Sequence, residues 1–149
     1  MSFLELTIDR TRYAIPIDRV EEVVPRVWMT PLSGAPDDIE GIFAYRGATA
    51  IAIDLRRRLG HASKARALDD HLVVLRGRAP RLALTVDRVP GMREIDLARI
   101  QPTAAPHARL EGAVVLEDGL VLLVDVGAIL SPEERARLDD ALVRSFDRA

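Results

Sequence analysis

The side chains that do chemistry in enzymes are scarce in this chain: it has three histidines and no cysteine. His61, His71 and His107 lack the close spacing by which imidazoles share a metal ion. His71 follows Asp69-Asp70, a pair able to orient an imidazole, but a surface histidine at the start of a strand is the simpler reading. The nine glycines are scattered singly at turns, so no glycine-rich loop is available to cradle phosphate. No serine stands in a nucleophile elbow. These features point away from an enzyme and away from bound cofactors. Two groups of arginine remain. Arg56-Arg57-Arg58 is a basic run that reads as a solvated face. Arg46 stands beside Gly47 in a tight turn between the apolar runs Gly41-Ile42-Phe43-Ala44-Tyr45 and Ala50-Ile51-Ala52-Ile53. Glycine suits such a turn because it reaches backbone angles that other residues avoid. Arginine is not a turn former, so Arg46 is either a solvated charge at a hairpin tip or a specialised one.

A second copy of the hairpin favours specialisation. Residues 110–126 repeat the pattern of residues 39–55 at an offset of 71. Glu40-Gly41 matches Glu111-Gly112, and Ile51-Ala52-Ile53-Asp54-Leu55 matches Leu122-Leu123-Val124-Asp125-Val126. Upstream, Tyr13-Ala14-Ile15-Pro16-Ile17-Asp18-Arg19-Val20 resembles Leu82-Ala83-Leu84-Thr85-Val86-Asp87-Arg88-Val89 at an offset of 69. Two motifs recurring in one order at nearly one offset imply an internal duplication. The second hairpin carries Glu117-Asp118-Gly119, ordinary turn chemistry. Only the first carries arginine.

The elements that position these residues are mostly strands. Leu4, Leu6 and Ile8 alternate with polar residues, the period of a half-buried strand. Further strands are expected over 12–17, over 20–27 where Glu21 and Glu22 interrupt an apolar run, and over 71–76 and 81–86. The polar, alanine-rich residues 61–70 read as a link between halves. Ser131-Pro132-Glu133-Glu134 forms a capping box that opens a helix, with Leu138, Leu142 and Phe146 four apart on one face. Many short strands with few helices predict an all-β barrel or sandwich. With the duplication, this becomes two small barrels sharing an apolar seam. The first is expected over residues 1–68, the second over 69–130, and a C-terminal helix over 131–149.

A length of 149 residues suits one compact domain. Aromatics make up 4%, so the core must come from Val, Leu, Ile and Ala. A net charge of −2 with 30% charged residues argues against a surface that tracks phosphates. The apolar stretch over 119–130 is broken by Asp125 and is too short to span a bilayer. Met1-Ser2-Phe3-Leu4-Glu5 has no basic segment leading into an apolar run, so no signal peptide is expected.

These residues together resemble the CheW family, the coupling proteins of bacterial chemotaxis arrays. The resemblance runs through Tyr13-Ala14-Ile15-Pro16-Ile17, Val20-Glu21-Glu22-Val23, Ile39-Glu40-Gly41-Ile42, Arg46-Gly47, Asp54-Leu55-Arg56 and Val86-Asp87-Arg88-Val89. It ends with Ile100-Gln101-Pro102, Glu111-Gly112 and Leu122-Leu123-Val124-Asp125, and covers essentially the whole chain. It implies two SH3-like β-barrel subdomains, no catalysis and no cofactor. It also implies a cytoplasmic adaptor, recruited to receptor arrays, that couples the cytoplasmic tip of a methyl-accepting chemoreceptor to the regulatory domain of a CheA-type histidine kinase. Neither nucleic acid nor direct membrane insertion is expected.

In such proteins the first barrel docks on the kinase, and an apolar groove between the barrels receives the receptor's helical hairpin. The family's Asn-x-Arg-Gly turn falls on Ala44-Tyr45-Arg46-Gly47, with Ala44 in place of the asparagine. Glu22 falls where the family carries a glutamate that pairs with the turn arginine. The expected partner-binding residues are Val20, Glu22, Tyr45, Arg46, Gly47 and Val89. Val20 and Val89 are expected to be partly exposed along a seam supported by Ile15, Ile17, Leu84 and Val86. Two alternatives stand beside this reading. One is an accessory paralogue of a motility or developmental pathway with one interface lost. The other is a small-barrel nucleic-acid-binding module, which would need exposed aromatics in a basic groove; Trp28, Tyr13 and Tyr45 are few and scattered.

Overall fold

A computed structural model describes residues 1–62, 69–102 and 109–147, with side chains described through residue 145. The chain opens with an antiparallel hairpin, β1 (Ser2–Ile8) and β2 (Thr11–Pro16). A 3-10 turn at Ile17–Arg19 leads into β3 (Val20–Pro25). The Arg46 hairpin is β4 (Ile39–Tyr45) and β5 (Ala48–Asp54), closed by the one-turn helix α1 (Leu55–Arg58). The second half repeats the plan with β6 (His71–Leu75), β7 (Arg81–Val86) and β8 (Arg88–Glu94). It continues through β9 (Gln101–Pro102), β10 (Leu110–Leu116) and β11 (Gly119–Val124) to α2 (Pro132–Asp147).

Two sheets result, in the orders β8-β1-β2-β11-β10-β9 and β3-β6-β7-β5-β4. Shifting each strand by the repeat offset carries one order onto the other. The registers agree as well: Ile51 pairs with Leu82 in parallel, and Leu122 pairs with Tyr13 in parallel. Even the short β9 has a counterpart, because Gln101 opposite Ala113 matches the isolated bridge of Thr30 to Ile42. The expected duplication is therefore present, with Ile51 and Leu122 at equivalent positions.

The sheets do not follow the sequence halves. Residues 1–68 supply β1 and β2 to the six-stranded sheet and β3, β4 and β5 to the other, while β6 and β7 complete the five-stranded sheet. A boundary at residues 68 and 69 thus separates the repeats but not the sheets. The cause is the short 3-10 turn after β2, which carries the chain across to the second sheet and leaves each opening hairpin to pair with the other repeat. A repeat pattern reports the type of each strand and is silent about its neighbour.

The paired Glu-Gly motifs have a physical cause. Both β4 and β10 shift register at this point, between Ile39 and Gly41 and between Leu110 and Gly112. A Cβ on Gly41 would lie 2.6 Å from the Thr30 carbonyl oxygen, and one on Gly112 would lie 2.6 Å from that of Gln101. Only glycine allows the crossing strand to come so close.

The largest core cluster fills the seam between the sheets and includes Leu4, Leu6, Ile8, Ile15, Val20, Ile53, Leu84, Val86 and Val124. Smaller cores lie within each sheet's curl, around Phe43 and Leu72 in one and Phe3 and Val121 in the other. α2 begins with the expected capping box: the Ser131 amide donates to Glu134 at 2.9 Å, and the Glu134 amide donates to the Ser131 hydroxyl at 3.1 Å. Its Leu138 and Leu142 are buried against Ile51, while the Phe146 side chain lies outside the described residues. Among the described residues no helix is long and apolar enough to cross a membrane.

The basic run departs from its expected solvated face. Arg57 is exposed, but the Arg56 guanidinium is buried against Asp9 at 2.8 Å and Asp87 at 2.6 Å. The Arg58 side chain is 7% exposed, bound to Asp38 at 2.6 Å, to the Ile129 carbonyl at 2.7 Å and to Glu134. Four carboxylates distant in sequence make this burial affordable, and none of them is visible as a local pattern.

Candidate partner-binding site

Arg46 and Gly47 have φ of 49° and 77°. Positive φ at both central residues is the backbone of a type I′ hairpin turn, whose twist matches the flanking strands. Glycine takes that conformation freely. For arginine it costs about 1–2 kcal/mol, so surrounding contacts must hold it.

Those contacts come from β3. The register of β3 against β6 shifts between Val20 and Glu22, making Glu21 the extra residue of a bulge. In a regular strand, successive side chains point to opposite faces; a bulge relaxes that alternation and lets both glutamates serve one cluster. Arg46 Nη2 donates to Glu22 Oε2 at 3.0 Å, and its Nη1 lies 3.8 Å from Glu21 Oε2. The Tyr45 hydroxyl donates to the same Glu22 oxygen at 2.6 Å. The Arg46 guanidinium also sits 5.2 Å from the centre of the Tyr45 ring, within cation–π range. Arg81 completes the group, donating to Glu21 at 3.0 Å.

The electrostatics follow from this packing. The Tyr45 hydroxyl and Arg81 hold the Glu21 carboxyl below the ordinary range. Burial, followed by the Glu22 and Glu21 carboxylates, pushes the Tyr45 phenol well above its ordinary value. Tyr45 therefore stays a neutral donor at physiological pH. The Arg46 side chain remains 63% exposed and that of Glu22 39%. An ion pair this open contributes only about 0–1 kcal/mol to stability. The cluster orients Arg46 more than it stabilises the fold.

The expected site residues divide into three groups. Glu22, Tyr45, Arg46 and Gly47 come together at the hairpin tip, but the Tyr45 ring is buried, so it supports the tip from beneath. Val89 is partly exposed, as expected. Val20 is not: it pairs with Leu75, packs into the seam core and is 6% exposed. The bulge that follows it turns its side chain inward. Ile15, Leu84 and Val86 are buried core as well, whereas Ile17, Val23 and Val89 are among the partly buried residues packed against that cluster. Glu21 and Arg81 belong to the cluster as well; the Glu21-Glu22 doublet is the sequence signal for the first, and Arg81 carries none. Trp28 is 90% exposed just beyond β3, a position unreadable from composition.

His61 Nε2 lies 2.6 Å from the Tyr13 hydroxyl and its Nδ1 lies 3.2 Å from Asp9, while His107 lies outside the described residues. Among the described residues no group of three potential ligands converges.

A model of the CheW-like domain matches residues 2–134. The chemotaxis protein CheW of Klebsiella aerogenes is 28% identical over 145 residues, covering 93% of this chain and 86% of that protein. Its counterpart in Helicobacter pylori is 25% identical over 137 residues, covering 89% of this chain and 83% of that protein. The crystal structure of the scaffolding protein TtCheW from Thermoanaerobacter tengcongensis superposes with a TM-score of 0.77 at 26% identity, covering 84% of this chain and 88% of that one.

Proposed function

The chain belongs to the CheW family of non-catalytic chemotaxis proteins, and from that premise we propose that it couples a methyl-accepting chemoreceptor to a CheA-type histidine kinase. The observation that carries the proposal is Arg46, which holds a strained backbone and is anchored on Glu22 and Tyr45 yet leaves most of its guanidinium in solvent. A planar guanidinium offers five donors. Those not spent on Glu22 and Glu21 are oriented for a partner's carboxylate or backbone carbonyl. The kinase's regulatory domain is the partner assigned to this hairpin. The partly exposed apolar residues Ile17, Val23 and Val89 are assigned to the receptor's helical tip. The protein would then act in the cytoplasm, brought to the membrane by the receptor.

Ala44 favours a second reading, an accessory paralogue with one interface lost. It is exposed at the position of the family's asparagine, so a polar contact beside Arg46 is missing. The nucleic-acid reading loses its basis, because Arg12, Arg56, Arg58, Arg81 and Arg93 are engaged with carboxylates. Separate pull-downs with a kinase regulatory domain and a receptor-tip fragment test the coupling. Retention of both supports an adaptor, retention of one supports the accessory paralogue, and retention of neither overturns both readings.

A further inference from the structure

The two sheets match strand for strand, but α2 covers the outer face of only one. On the five-stranded sheet it lays Leu138 and Leu142 over Ile51, beside Ile42 and Leu82. The equivalent positions on the six-stranded sheet are Leu122, Ala113 and Tyr13. His61 covers Tyr13 there. Towards the hairpin tip, Val115 and Leu120 stand directly opposite each other across β10 and β11, 64% and 53% exposed. Their counterparts at the repeat offset are Ala44 and Thr49; Thr49 lines a cleft with Leu142 and Val143 of α2, and Ala44 is exposed. The hairpin next to a helix thus carries small residues, and the hairpin without one carries a valine and a leucine in cross-strand register. Directly opposed side chains lie in contact, so the pair forms one apolar strip, continued by the half-buried Ala113 and Leu122.

We propose that this strip is a docking site for an amphipathic α-helix of a partner protein, laid along β10 and β11 as α2 lies along β4 and β5. The occupant is identified by the twin face, which is covered by a helix presenting leucines four residues apart. Arg99, exposed beside the strip and donating to the Val115 carbonyl at 2.9 Å, adds a preference for an acidic residue next to those leucines. α2 itself has that character, with Asp139 and Asp140 between Leu138 and Leu142. The strip lies on β10 and β11, whereas Arg46 lies on the other sheet and Val89 on β8, across β1 and β2 from the strip, so this site is additional to the coupling contacts proposed above.

A synthetic peptide of residues 132–147, added to the full chain and followed by methyl NMR, is the probe. Saturable shifts centred on Val115 and Leu120 are expected. Leu120→Asp should weaken binding by about tenfold or more without lowering Tm, and a peptide carrying Leu138→Asp and Leu142→Asp should cause no shifts. Shifts that are absent or centred on Ile51, or equal binding by the aspartate peptide, would overturn the proposal. Loss of Tm in Leu120→Asp would make the strip part of the fold. Concentration-dependent shifts without peptide would make a second copy the occupant.

Discussion

The two hairpin tips of this duplicated chain solve one structural problem with opposite charges. In each sheet the tip is tied to the edge strand at the far side of the sheet, β3 in one and its equivalent β8 in the other. In the first, an arginine at the tip meets two glutamates on β3. In the second, Asp118 meets Arg93 of β8 at 2.9 Å and Arg12 of β2 at 3.1 Å. Arg93 and Arg12 hold the Asp118 carboxyl below its ordinary range. The second tip shares its half-exposed carboxylate between two less exposed arginines, with Glu5 behind them, so its charge is met within the molecule. The first places its arginine outermost, on a strained backbone. The scaffold occurs twice, and the inversion of charge leaves the arginine of one tip largely in solvent.

The largest effects should come from equivalent positions whose surroundings differ. Val20 and Val89 match at the repeat offset, but Val20 lies in the seam core and Val89 at its edge. Val20→Asp would bury a carboxylate without a partner, so thermal unfolding should lose its cooperative transition. Val89→Asp should keep that transition and weaken receptor-tip binding. Equal behaviour of the two variants in a melting experiment would break the distinction.

Gly41 and Gly112 test the other direction, a feature common to both repeats. An added Cβ collides with a carbonyl oxygen at the same distance in each. Gly112→Ala should destabilise by about 1–3 kcal/mol. Gly41→Ala should cost roughly 1 kcal/mol more, because its φ of 155° is also strained for a side chain. Urea titration of both variants checks the order.

α2 is where the repeats diverge, and its tie to the first repeat is pH-dependent. The Arg58 guanidinium, helped by the Ser131 amide, holds Glu134 down at about 2, against an ordinary 4.5. A depressed carboxyl contributes stability that is present above its unfolded value and lost as pH falls through its folded one. That contribution should therefore fade between about pH 4.5 and 2. Glu134→Gln should remove on the order of 2–3 kcal/mol at neutral pH and flatten acid unfolding over that window.

Much of this was legible in the chain itself. The repeat offsets, the capping box of α2 and the oddity of Arg46 are local patterns, written in adjacent residues. What was not legible depends on partners far away in sequence. Val20 reads as partly exposed until the bulge at Glu21 turns it inward. Arg56 and Arg58 read as solvated until Asp9, Asp38, Asp87 and Glu134 converge on them. The exchange of hairpins between sheets leaves no mark on hydrophobic periodicity, because a strand alternates in the same way beside either neighbour.

The claim that the Arg46 tip faces a partner while the Asp118 tip serves the fold is tested most directly by a double-mutant cycle read in two ways, by Tm and by affinity for the kinase regulatory domain. Arg46→Ala should change stability by no more than about 1 kcal/mol and weaken binding by about tenfold. Glu22→Ala should weaken it too, and the double variant should be no worse than Arg46→Ala, because Glu22 acts through the arginine. Asp118→Ala, the internal comparison, should lower Tm and leave affinity unchanged. Strictly additive losses would mean that Arg46 acts without Glu22. Unchanged affinity in Arg46→Ala, or an equal loss in Asp118→Ala, would contradict the account.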